Sequence, residues 1–178
     1  LYFAPILLHH RQKVVVTFCL CCQFLFLTHQ LLVLQALFLL QVLSLSLNYD
    51  ESIFPVFVSN LLAEHRLRIN YIKGYSSEVK EKYFKSDGKI VTDEFGRTDY
   101  HKKIGLLHLD GNHKYENVTE DINNFAKKVI SGGWIIFDDY NWKYGNGVKK
   151  ATDTYLEENA KMIKQAFYSG GALFVNLK

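Results

Sequence analysis

No acidic residue precedes Asp50, no glycine precedes Gly74, and no cysteine follows Cys22. The chain also holds only two prolines and a single methionine, Met162. The lack of cysteine beyond Cys22 excludes a disulfide scaffold for most of the chain and suits a reducing compartment, the cytoplasm. A formal net charge of +3, from 21 Lys and Arg against 18 Asp and Glu, leaves no dense basic face of the kind that releases counterions from nucleic acid. A composition 48% hydrophobic and 22% charged excludes a disordered tail. The length, 178 residues, is that of one ordinary domain.

What the chain does have is divided unevenly. Arg11 and Lys13 are the only charged residues before Asp50, and Val14 to Tyr49 is a run of Leu, Val and Phe broken by Gln23, His29, Gln30, Gln35 and Gln41. Residues 1–48 therefore read as an anomalous hydrophobic segment and residues 49–178 as an ordinary domain. About 20 apolar residues suffice to cross a bilayer, so membrane association through residues 14–47 is one reading of that segment. A buried strand and helix of the domain is a second, and a fragment or out-of-frame stretch is a third. The recurrent glutamines and the absence of a sharp end count against an anchor. Cys19, Cys21 and Cys22 lack a second Cys or His pair at zinc spacing and read as small apolar residues.

From Val42 the pattern alternates. Val42 to Leu47 reads as a strand ending before Asp50, Ile53 to His65 as a helix, and Arg68 to Lys73 as a strand closed by Gly74. Ser76 or Ser77 caps a helix to about Lys85. Polar, glycine-containing Ser86 to Lys103 reads as a surface loop. Ile104 to Leu109 is a buried strand. Tyr115 to Val129 is an amphipathic helix, ended by Gly132-Gly133, and Trp134 to Phe137 is the next strand. Val148 to Met162 is a further helix. A hairpin closes the chain, turning at Ser169-Gly170-Gly171. Strands and helices at this spacing predict an α/β fold with a mostly parallel sheet and helices on both faces.

In such sheets ligands sit at the carboxyl ends of the strands, where this sequence places Asp50, Asp110, Asp138 and Asp139. If the last two strands are neighbours, Asp110, Asp138 and Asp139 share one edge. Clustered acids require raised pKa values or a cation, and hard oxygen donors suit Mg²⁺ or Mn²⁺. Singly, each acid is as well explained by a helix cap or a turn; together, the metal reading is preferred. His113, three residues after Asp110, is either a general base or a polar turn residue. Asp50 is either a ribose contact or a cap. Gly74-Tyr75-Ser76 offers a turn where backbone approaches a ligand. Trp142 and Tyr144 either wall a pocket or cover the sheet edge. His108, inside a strand, reads as packing, and Lys149 and Lys150 as a solvated helix face.

Asp110-Gly111-Asn112-His113-Lys114-Tyr115-Glu116, then Gly132-Gly133, then Asp138-Asp139-Tyr140 resembles the class I S-adenosylmethionine-dependent methyltransferases. Within that class it is similar to the metal-dependent sugar O-methyltransferases of the macrocin and mycinamicin type, over roughly Asp50 to Lys178. The resemblance implies a Rossmann-like sheet with a C-terminal antiparallel hairpin. It implies that Asp110, Asp138 and Asp139 bind Mg²⁺, that His113 is the catalytic base, and that Asp50, Gly74, Tyr75 and Ser76 lie against S-adenosylmethionine. The family's glycine-rich first loop has no counterpart before Gly74. The expected activity is methylation of a hydroxyl on a sugar or small polyol, with a small-molecule acceptor as partner. The alternative is a methyltransferase-like domain that binds a partner without chemistry.

Overall fold

The computed structural model describes residues 69–178, the backbone of four short strands within residues 1–21, and Val58 and Ser59. Two compact units divide the chain: residues 1–21 with 67–178, and residues 22–66. In the second unit Val58 and Ser59 are helical, inside the helix expected over Ile53 to His65. The strand expected over Val42 to Leu47, and Asp50, lie outside the described residues.

The first unit is built on a sheet of seven strands. Its members are β2 (Pro5–Leu8), β3 (Val14–Phe18), β5 (Ile69–Lys73), β8 (Ile104–Leu109), β9 (Val129–Phe137), β10 (Ile163–Ser169) and β11 (Ala172–Leu177), in spatial order β10-β11-β9-β8-β2-β3-β5. β8 runs parallel to both β9 and β2, whereas β3 and β11 run the other way. β5, antiparallel to β3, thus ends on the same edge as β8 and β9. β1 (Tyr2–Phe3) pairs with β4 (Leu20–Cys21), and β6 (Lys89–Thr92) with β7 (Gly96–Asp99), as separate two-stranded sheets.

Three helices, α1 (Ser76–Lys85), α2 (Tyr115–Phe125) and α3 (Gly147–Glu158), form a row in which α2 touches both neighbours. All three pack on one face of the sheet. Apolar residues at spacings of three and four supply the packing: Val118, Ile122 and Phe125 of α2 join Val79 and Tyr83 of α1 and Val148, Ala151 and Tyr155 of α3. Leu107 and Leu109 of β8, Ile135 and Phe137 of β9, and Val175 of β11 face them. Alternation sends His108, Ile136 and Phe174, which are in register across the three strands, to the opposite face, where all are buried.

Three expectations are corrected. The seven-stranded sheet is not mostly parallel: only the pairings of β8 with β9 and with β2 are parallel, and the other four are antiparallel. Ser86 to Lys103 is not a plain loop but carries the β6–β7 hairpin, with Phe95, Thr98 and Tyr100 buried. Asn70 of β5, 1% exposed, anchors it: its Nδ2 donates to the carbonyls of Ile90 and Gly96, and Thr92 donates to its Oδ1. Gly132-Gly133 does not end a helix. α2 stops at Phe125, a 3₁₀ turn spans Ala126–Lys128, and β9 runs through both glycines. A Cβ at Gly133 would stand 2.8 Å from the Ile130 carbonyl oxygen and 3.0 Å from that of Gly105, so glycine is what lets β9 fold close against β8. Buried Asn176 of β11 donates to the Gly132 and Gly133 carbonyls and ties the third strand to the same place. The closing hairpin is as expected, though its outer strand β10 is exposed at every position after Ile163.

Candidate active site

The carboxyl ends of β8 and β9 are held side by side, the Asp138 N–H donating to the Leu109 carbonyl at 3.0 Å. Asp110 leaves the first strand and Asp138-Asp139 leave the second. Asp139 has φ of +50°, in the left-handed region that Asp tolerates better than most residues. That turn sends two consecutive carboxylates in different directions.

Asp139 turns toward the loop after β8. Its Oδ2 lies 3.2 Å from His113 Nε2, and candidate ligand atoms of Asp110, His113 and Asp139 all fall within 4.8 Å of one another. The His113 side chain is 10% exposed and stands edge-on to Trp142, with ring centroids 4.2 Å apart. Asp138 turns the other way, its Oδ2 3.5 Å from Nε2 of buried His108, while its Oδ1 accepts the Asp139 N–H at 3.0 Å. The structure thus gathers Asp110, Asp139 and His113, and sets Asp138 beside them with a partner of its own. A cleft of about 270 Å³, open to solvent, is lined by Asp110, His113 and Asp138 together with Val118, Asp121 and Phe137. Tyr144 packs on Trp142 but is 72% exposed, so Trp142 is the aromatic that walls the site.

The acids respond to these surroundings in opposite senses. Burial works to raise the Asp138 pKa, but the His108 hydrogen bond and charge, the Asp139 N–H and His113 outweigh it and hold the carboxyl below the usual range. Burial and then the charge of Asp138 push Asp139 up, with His113 opposing and Asp110 adding to the rise. Asp121 of α2, 7% exposed, is driven to about 6 by burial, against a hydrogen bond from Ser76 and with a further push from Glu120.

Two residues escaped the sequence reading, and each left a signal. His108 lies in the strand whose carboxyl end leads to Asp110, a polar residue in an otherwise apolar run. Asp121 falls at the i+3 place after Val118 and beside Ile122, an acid on an apolar helix face. Lys149, read as solvated, donates to the Tyr140 hydroxyl and to Asp153, both at 2.8 Å, and covers the Tyr140 ring. Of the expected cofactor residues, Gly74 is buried at the end of β5, Tyr75 is 62% exposed and Ser76 opens α1. The N-cap residue of α1, Tyr75, makes no side-chain cap hydrogen bond.

Chemically, the Asp110 and Asp139 carboxylates within reach of one point fit a divalent ion with coordination places left over, and the His113 imidazole beside them can accept a proton. At the β5 turn, Glu78 Oε2 would lie 3.0 Å from a Cβ at Gly74, so the turn is closely packed against the start of α1. In a sheet whose central strands β2, β8 and β9 run parallel, the carboxyl ends of those strands are where a ligand sits, and these groups stand there. The narrower assignment comes from comparison. A family model described as a methyltransferase domain matches residues 50–140, just over half of the chain. The chain belongs to that family, among the class I S-adenosylmethionine-dependent methyltransferases. An uncharacterized protein of Acanthamoeba polyphaga mimivirus is 49% identical over 37 residues, 21% of this chain and 17% of that protein. The structure of the O-methyltransferase NovP aligns at 23% identity with a TM-score of 0.37, covering 43% of this chain and 31% of that one. The chain therefore spans less than a third of the length of either relative. Among the described residues no helix is long and apolar enough to cross a membrane.

Proposed function

We propose that the chain is an S-adenosylmethionine-dependent O-methyltransferase acting on a hydroxyl of a sugar or small polyol, with a divalent ion, Mg²⁺ or Mn²⁺, at the Asp110–Asp138–Asp139 edge. The observation that carries this reading is the meeting of Asp110, His113 and Asp139 at the ends of two parallel strands. A divalent ion among these acids supplies positive charge that offsets their repulsion and lowers the pKa of an alcohol oxygen. S-adenosylmethionine supplies the methyl group from its sulfonium. Asp110 and Asp139 present the carboxylates, and Asp138 fixes the turn between the strand and Asp139. His113, its Nε2 directed at the same point, takes the proton from the acceptor hydroxyl. Trp142 holds the imidazole ring in place and offers an apolar wall to the acceptor.

The test is transfer of a labelled methyl group from S-adenosylmethionine to a panel of sugars and polyols, with and without a chelator. Asp139→Ala and chelation are each expected to lower turnover at least 100-fold while leaving cofactor affinity within a few-fold. Full transfer by Asp139→Ala in the presence of chelator sinks the proposal.

A further inference from the structure

His108 is a costly residue for its position. It lies in the middle of β8, 3% exposed, in register with Ile136 and beyond it Phe174, where a leucine would pack without polar loss. Its Nδ1 is buried with no hydrogen-bond partner among the described residues, so the fold bears the desolvation of that nitrogen uncompensated. The helix-side core does not need the ring either, because Leu107 and Leu109 serve that face. Among the described residues, the polar contact of His108 is at Nε2, 3.5 Å from Asp138 Oδ2.

The contact continues. Asp138 uses its other oxygen, Oδ1, to accept the N–H of Asp139 at 3.0 Å, across the residue whose φ is +50°. The left-handed turn in turn delivers the Asp139 carboxylate to His113 and Asp110. A neutral imidazole donates from one nitrogen only, and the nitrogen facing a carboxylate is the one that gains by carrying the proton. Oδ1 of Asp138 is then held by the Asp139 N–H while Oδ2 faces His108, which restricts the rotation of the group.

We infer that His108 is a positioning residue for the ion site: its Nε2–H fixes Asp138, and Asp138 fixes the turn that presents Asp139. This rests on the proposed reading of Asp110 and Asp139 as carboxylates that hold an ion. It assigns His108 no contact with substrate. Groups that orient metal ligands from outside commonly change metal affinity 10- to 100-fold when removed.

The experiment uses the full chain, with Mn²⁺ as probe followed by the electron spin resonance of the free ion, and thermal unfolding in chelator as the second readout. His108→Leu is expected to weaken Mn²⁺ binding by about 10- to 100-fold with an unfolding midpoint equal to or above that of the parent. His108→Gln, whose amide can donate from near the Nε2 position, is expected to restore most of the affinity. Should the leucine variant not fold, His108→Asn, too short to reach Asp138, takes its place in the comparison with Gln. Binding within twofold of the parent in the leucine or asparagine variant overturns the inference. So does a fall in midpoint that accompanies the loss of binding, which marks a structural role. A parent chain that takes up no Mn²⁺ overturns the ion-site reading as well, so the two failures are told apart.

Discussion

At the scale of single residues, Asp121 gives the sharpest pH-dependent consequence. Its carboxyl is raised from 3.8 to about 6, chiefly by burial. The folded state therefore binds the proton more tightly than the unfolded chain does. The stabilising contribution is complete below pH 3.8 and is lost as pH rises through about 6. Above that pH the fold carries an ionised, desolvated acid, which costs roughly 3 kcal/mol at most. Asp121→Asn keeps the acceptor oxygen for Ser76 and removes the charge. Chemical denaturation should find the variant more stable than the parent by about 1–3 kcal/mol at pH 8, with the gap closing toward pH 4. A difference that stays flat across that range would show that another group is responsible for the pH dependence. Asp121 also shows why part of the site was hidden in the sequence. Its position on the apolar stripe of α2 was legible, but the burial that perturbs it depends on α1 and on the strand ends.

Among elements, the start of α3 is set by a close approach. A Cβ at Gly147 would overlap the His113 carbonyl oxygen and lie 2.7 Å from the Tyr115 nitrogen. The first residue of α3 is thus pressed against the backbone that carries His113 into α2. Helix propensity alone favours alanine there by up to about 1 kcal/mol. Overpacking against backbone costs typically about 1–3 kcal/mol, and backbone has less room to yield than a side chain. Gly147→Ala should therefore lower stability by about 1–2 kcal/mol and weaken ion uptake, measured by thermal unfolding and Mn²⁺ titration. Elements with continuous apolar runs, Ile104–Leu109 and Trp134–Phe137, were legible because parallel strands are covered on both sides. The β6–β7 hairpin was not, because its strands are four residues each and mostly polar, and the group that anchors them, Asn70, belongs to a different strand. Gly132-Gly133 misled for a similar reason. Glycine pairs end helices by default, and here Gly132 is needed for a φ of +75° and Gly133 because β9 bends back on its own Val129 and Ile130 beside Gly105.

For the molecule as a whole, the sequence foretold the parallel pair that carries Asp110, Asp138 and Asp139 and the antiparallel hairpin that closes the sheet. It did not foretell that Asp138 and Asp139 part company, since that follows from one φ angle and from a histidine whose neighbour is set by sheet register. The edge of the sheet permits a prediction at this scale. Among the described residues β10 has a partner on one side only, and Lys164 is the one charged residue in a strand that also exposes Phe167 and Tyr168. Charged side chains on such strands oppose pairing between copies. Lys164→Val should raise the apparent mass with concentration in light scattering, and Phe167→Lys should not. Equal behaviour of the two variants would remove Lys164 from that role.

The bare flank of β10 bears on the practical life of the protein. A surface that offers unspent peptide groups beside two aromatic rings invites slow, templated stacking as stocks are concentrated or stored. Shelf stability would then be governed at the rim of the sheet, remote from the chemistry, and a lysine with no part in methyl transfer would act as its gatekeeper.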